Sequence, residues 1–238
     1  MVMDIHSLKH CESGGGSLQD AFPGEIYGPL NPLKWMYHTS RVEQVLAQND
    51  QAIAPVTVHL VPTLRCDHRC YFCTYGGAKG SGTNVRLPVG VGDASQLRIE
   101  QKDMPFDLMQ RVLEQLASVG VAGVIFTGGG EPTCYSQLAE AMTCCRELGM
   151  AFALNTNGRG LDAGLARRIL SLNPRYIRVS LNAGSPEIQR LVTGVDDFDL
   201  IVENIRVLAR LKNILNAATD ISIGYVVNVV NLHDIMGI

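Results

Sequence analysis

Within eight residues, Cys66-Asp67-His68-Arg69-Cys70-Tyr71-Phe72-Cys73 brings three thiols onto one short stretch of chain. Thiolates at these offsets can wrap one corner of a metal cluster, because a short loop keeps all three sulfurs within reach. Iron–sulfur clusters ordinarily take four cysteine ligands, so a three-cysteine loop leaves one iron open to another ligand. An open coordination position is what separates catalytic from structural metal sites. The alternative is a zinc site with His68 or a distant cysteine as fourth ligand. Zinc sites favour paired Cys-x2-Cys knuckles, however, and no second knuckle exists in this chain. Three unligated thiols side by side would be exposed to oxidation.

The other cysteines carry less. Cys144 and Cys145 fall on a helical pattern with Leu138, Met142 and Leu148 and are expected to be small core residues. Cys134, just after a glycine run, is expected to be packed, and Cys11 in a Ser/Gly-rich stretch to be incidental. Seven is an odd count, and the N-terminal MVMDIHSLKH lacks the apolar core of a signal peptide. Both facts argue against a disulfide framework and make the cytoplasm the default location. With 46% hydrophobic and 18% charged residues, the 238-residue chain can bury a substantial core. A net charge of −3 provides no basic field for nucleic acid. No apolar run approaches the length of a membrane span.

Strands and helices must hold the cysteine loop. Apolar, β-branched runs at residues 56–61, 121–127, 151–155, 176–181 and 221–227 predict five strands. Between them, Leu108, Met109, Val112, Leu113 and Leu116 make one helical face, and Leu165, Ile169 and Leu172 another, capped by Asp162. Ser185-Pro186-Glu187 has the form of a cap, a first-turn proline and a first-turn acid. Phe198, Ile201, Val202, Ile205 and Leu208 complete a last helix. This alternation predicts an α/β fold of parallel strands joined by right-handed crossovers. The strands are continuously apolar, as expected where both faces are covered. An open doubly wound sheet or part of a (βα) barrel satisfies the pattern, with chemistry at the C-terminal strand ends in either case. Residues 1–24 are expected to form a flexible leader. Residues 25–54 form a helical segment, with Thr39 or Ser40 as cap and Val42, Val45 and Leu46 on one face, and residues 55–238 form the core.

The Cys-x3-Cys-x2-Cys pattern, with Phe72 as the aromatic before the last cysteine, resembles the signature of the radical S-adenosylmethionine (SAM) superfamily. The likeness extends over about residues 55–235. Gly128-Gly129-Gly130-Glu131-Pro132 is similar to the family's Gly-Gly-Glu-Pro segment, which receives the amino group of SAM. Glycines admit a ligand close to the backbone, and carbonyls with a carboxylate suit an ammonium. Asn155-Thr156-Asn157-Gly158 resembles the family's Thr-Asn-Gly. Ser180 and Asn182 fall where members contact the ribose and the methionine carboxylate. Tyr225 and Asn228 fall beside the adenine, with Asn231 just beyond. Each motif alone is an ordinary turn or cap; their order on successive strand ends is what makes the likeness.

The resemblance implies a partial (βα) TIM-type barrel and a [4Fe–4S] cluster held by Cys66, Cys70 and Cys73, with SAM chelated at the open iron. It implies reductive cleavage of SAM to a 5′-deoxyadenosyl radical that abstracts hydrogen from a small-molecule or peptide substrate. The electron would come from a flavodoxin- or ferredoxin-like donor. The family core has six strand–helix units and about five are visible here, so the core is expected to be truncated after NLHDIMGI. The glycine-rich segment 74–102 is long, and Lys79 and Arg86 in it are expected to be solvated and not to meet an anionic substrate. His59 is expected to be a packed strand residue and His68 to lie at the cluster edge. A zinc-binding or interaction module and a cluster-binding remnant without turnover are the competing expectations.

Overall fold

The computed structural model describes residues 30, 34, 38–48, 53–73, 75 and 103–237. The leader, Cys11 and segment 74–102 with Lys79 and Arg86, Tyr75 excepted, lie outside the described residues. The chain divides into two units between Ile53 and Ala54. In the first, α1 spans Thr39–Leu46 and is entered from His38, so Thr39 is its first residue and not its cap. α1 buries none of its residues, and Val45 and Leu46 are exposed.

The second unit holds one five-stranded parallel sheet: β1 Thr57–Leu60, β2 Gly123–Phe126, β3 Ala151–Thr156, β4 Tyr176–Ser180 and β5 Asp220–Gly224. Between the strands come α2 Phe106–Ser118, α3 Leu138–Glu147, α4 Ala163–Ser171, α5 Pro186–Thr193 and α6 Phe198–Leu215. Strand order in space is the order in the chain. A doubly wound sheet reverses its order so that helices cover both faces; here the order never reverses, and the arrangement is a partial (βα) barrel. Among the described residues, no helix is long and apolar enough to cross a membrane.

Register explains the two faces. Leu60, Phe126, Leu154, Ile177 and Ile221 line up across the sheet, as do Val58, Val124 and Phe152. These residues share one core cluster with Met109 and Leu113 of α2, Met142 and Cys145 of α3, Ile169 of α4 and Leu208 of α6. Fully burying such side chains contributes about 1.5–3 kcal/mol each. The opposite face carries His59, Asn155, Arg178 and Ser222, and His59 and Arg178 are exposed. The expectation of strands covered on both faces therefore holds for β2, buried throughout, and in part for β3, where Ala153 is buried on this face, but not for β1, β4 and β5. His59 is not packed in the core, because it points to the face without helices.

The helix ends follow the sequence in part. Asp162 caps α4, its Oδ1 accepting from Leu165 N at 2.9 Å. Pro186 occupies the first turn of α5, but Ser185 makes no side-chain cap bond. Gly194 closes that helix at φ 72°, a left-handed conformation that glycine adopts without strain.

Candidate active site

β1 leads directly into the cysteine loop, and the loop's approach is locked to the glycine segment after β2. Gly130 N donates to Thr63 O at 3.0 Å and Glu131 N to Arg65 O at 2.7 Å. Only glycine fits there: a Cβ on Gly130 would lie 2.2 Å from Arg65 O. Arg65 in turn grips Asp103 through Nε and Nη2, at 2.9 and 2.7 Å, and Thr63 Oγ1 bonds the same carboxylate.

Glu131 points inward. Its Oε1 accepts from Thr133 N, Thr133 Oγ1 and Thr156 Oγ1 at 3.0, 2.8 and 2.5 Å, and Oε2 accepts from Asn157 N at 2.7 Å. Burial holds this carboxyl above its ordinary range although the four donors pull it down. The side chain thus ties the β2 end to the β3 end, and Pro132, itself buried, starts a short 3-10 turn after it. Asn157 is equally committed: Nδ2 donates to Asp67 Oδ1 of the cysteine loop at 2.7 Å, and Oδ1 accepts from Arg159 N at 2.9 Å.

The later strand ends close on one another in the same way. Asn182 Oδ1 accepts from Val226 N at 2.7 Å, and its carbonyl accepts from Asn231 Nδ2 at 2.9 Å. Tyr225 OH donates to Asn231 O at 2.8 Å. Asn228 Oδ1 receives Tyr71 OH at 2.5 Å, which carries the fifth strand end back to the cysteine loop. Ser180 is half-buried at the end of β4. Phe72 packs on Ala183, Ile188 and Val192, and meets Tyr71 edge-on with ring centroids 5.5 Å apart. The sequence-derived residues after β2, β3 and β5 are therefore gathered around the cysteine loop. Most of their side chains are bonded within the chain, to one another, to the cysteine loop or to main chain.

Cys66 is exposed, and Cys70 and Cys73 are half-buried. Desolvation at the sulfur pushes the Cys66 thiol up to about 12, with Glu131, Asp67 and Cys70 adding repulsion. Cys70 is raised to about 11 by burial and by Cys73. A bound cation would favour the thiolate forms that burial, and after it the neighbouring charges, oppose at these sulfurs. Among the described residues no three His, Cys, Asp or Glu side chains are drawn into the shell of one metal ion. A [4Fe–4S] cluster does not need such a shell, since each thiolate binds its own iron; a closed zinc site does. His68, the proposed fourth zinc ligand, is turned away, its Nε2 2.7 Å from Asp197 Oδ2. The buried carboxylate holds that nitrogen. Cys134 is half-buried and has its thiol raised to about 11, first by desolvation and then by Asp67. Cys145 is fully buried, and Cys144 packs against the core, as expected.

Asp67, Tyr71, Arg159, Gln189 and Asp197 are the residues that the motifs did not single out. Two of them lay inside the cysteine pattern, and the others had no local signal beyond a helix cap or a charged turn.

The fold is a (βα) barrel segment whose strand ends close around a three-cysteine loop. Residues 60–235 match the radical SAM superfamily model, and the chain belongs to that superfamily. The superfamily uses a [4Fe–4S] cluster and SAM. A probable GTP 3′,8-cyclase of Thermococcus kodakarensis is 26% identical over 152 residues, covering 63% of this chain and 43% of that one. The Fe-coproporphyrin III synthase of Methanosarcina barkeri is 26% identical over 211 residues, 88% of this chain and 46% of that one. The chain spans less than half the length of either relative. In fold it is similar to Streptococcus suis SuiB bound to S-adenosylmethionine, with a TM-score of 0.55 and 18% identity over 86% of this chain and 47% of that one. It is also similar to anSMEcpe with bound AdoMet, with a TM-score of 0.53 and 17% identity over 71% of this chain and 43% of that one.

Proposed function

We propose that this chain is the core of a radical SAM enzyme acting on a small molecule or a peptide, with Cys66, Cys70 and Cys73 as the cluster ligands. The observation that carries the reading is the convergence of the strand ends on the loop: Gly130 and Glu131 bond its approach, Asn157 bonds Asp67, and Asn228 bonds Tyr71. Cluster and SAM together supply, when bound, one-electron cleavage to a 5′-deoxyadenosyl radical and hydrogen abstraction.

The chain's own residues orient and enclose. The carbonyls of Gly128, Gly129 and Gly130 are the acceptors for an ammonium, because the Glu131 carboxylate is taken by four donors. Ser180 and Asn182 serve the ribose or carboxylate, and Tyr225 and Asn228 shape the adenine side from a bonded frame. Phe72 steadies the loop by packing on α5. A flavodoxin- or ferredoxin-like protein is the electron donor. The relatives named above are a GTP cyclase and a coproporphyrin synthase, whereas SuiB has also been seen with its precursor peptide SuiA, so both substrate classes belong in the test.

Anaerobic reconstitution with iron and sulfide, followed by visible and EPR spectra and a 5′-deoxyadenosine assay with SAM and dithionite, decides the matter. A [4Fe–4S] signal that SAM perturbs, with release of 5′-deoxyadenosine and loss of both in Cys70→Ala, is the expected result. Stoichiometric zinc in a colourless protein would sink the reading, and a cluster without cleavage would mark a core that does not turn over alone.

A further inference from the structure

All three residues between Cys66 and Cys70 are tied to distant parts of the chain. Asp67 receives Asn157 Nδ2 at 2.7 Å and lies 3.6 Å from Arg159 Nε. His68 Nε2 stands 2.7 Å from Asp197 Oδ2, the two side chains being 3% and 2% exposed. Arg69 N donates to Thr193 O at 2.7 Å, and Tyr71 N follows with a bond to Val192 O at 3.1 Å.

Asp197 is the centre of this frame. It opens α6, a position where aspartate ordinarily caps the helix through its carboxylate, yet it makes no cap bond. Its oxygens are turned inward and meet three other elements: His68 from the cysteine loop, Gln189 Nε2 from α5 at 2.8 Å, and Arg159 Nη1 after β3 at 3.3 Å. A carboxylate this buried needs such partners to remain there. Four segments therefore meet at one carboxylate, and none of its three contacts falls on a thiol.

We propose that Asp197 is a positioning residue for the cluster loop: through His68 it sets where Cys66 and Cys70 stand, and its fixed charge sets the field the cluster feels. This rests on the cluster reading above. Asp197 touches no reacting atom; it acts through the imidazole and the loop backbone.

The test uses the full chain and the variants Asp197→Asn and His68→Gln. In the metal-free protein, amide exchange at Arg69 and Tyr71 should quicken roughly tenfold or more in Asp197→Asn, with the amides of β2 and α3 unchanged. After reconstitution, Asp197→Asn should still take up iron, but with an altered reduced EPR spectrum and a midpoint potential moved upward, since a nearby negative charge is gone. His68→Gln should quicken the same amides and alter the spectrum, but it keeps the Asp197 carboxylate and so should not raise the potential; the double variant should go no further than Asp197→Asn. A folded Asp197→Asn with wild-type loop exchange, spectrum and potential overturns the proposal, as does a variant that melts earlier but leaves all three unchanged. Should Asp197→Asn not fold, His68→Gln decides by loop exchange and EPR spectrum. A wild-type chain that takes up no cluster overturns the functional reading instead, and unchanged variants of a loaded chain overturn this proposal alone.

Discussion

Replacing Gly130 with alanine tests whether the cysteine loop is seated by the glycine segment. The new Cβ would lie 2.2 Å from Arg65 O, 2.6 Å from Leu64 C and 2.7 Å from Thr63 O, all main-chain atoms that cannot swing aside. Relief requires the two segments to part by about 1 Å. That movement stretches the Gly130–Thr63 and Glu131–Arg65 bonds, now 3.0 and 2.7 Å. Overpacking contributes roughly 1–3 kcal/mol and each of the two weakened backbone bonds roughly 0.5–1.5 kcal/mol, for a loss of about 2–6 kcal/mol. In a unit of this size, at about 2–4 °C per kcal/mol, the melting temperature should fall by roughly 4–24 °C. Gly149→Ala is the control. Its φ is 72° and nothing lies within 4 Å of a Cβ, so it should lose only the left-handed strain of about 1–2 kcal/mol and keep its iron. Thermal melts of the metal-free proteins, with iron and sulfide content after reconstitution, make the comparison. A Gly130→Ala protein that melts with the control and binds a full cluster refutes the reasoning.

Glu131→Gln sets an amide N–H against one of four donors, and should lose about 2–4 kcal/mol in chemical denaturation; a loss under about 1 kcal/mol would show that the tie between strand ends is weak. Because burial raises the folded carboxyl, the folded chain binds that proton more tightly than the unfolded one. This contribution to stability is full below an unfolded value of about 4.3 and is lost as pH rises through the folded value. The Glu131→Gln protein should lack that decline, and parallel pH profiles for the two would count against the assignment. Cys145→Ser places a hydroxyl in the fully buried core and should lose about 1–3 kcal/mol with no change in iron content. Iron loss there would contradict its purely packing role.

The elements were legible because each rests on local signals: β-branched runs for the strands, an aspartate cap for α4, a first-turn proline for α5. Which face each strand would cover was not. A run such as residues 176–181 is apolar enough to be buried on both sides, and Arg178 inside it was the sign that one side is open. Only the unreversed strand order decides that all the helices lie on the other side.

The site was legible to the same depth. Cysteines, glycines and asparagines at strand ends mark positions, and those positions converge. The sequence pattern does not show what each side chain does there, because bonding partners are set by the fold across long separations. Glu131 has the charge to meet an ammonium, yet its lone pairs are filled by Thr133, Thr156 and Asn157. His68 sits between two thiols, yet its partner lies 129 residues away at a helix start. Both outcomes have one physical cause. Polar groups buried beneath a ligand-binding surface must be satisfied before any ligand arrives, so the charged side chains of the motifs take partners within the chain, and the three thiols, weak as donors and acceptors, have the least such need.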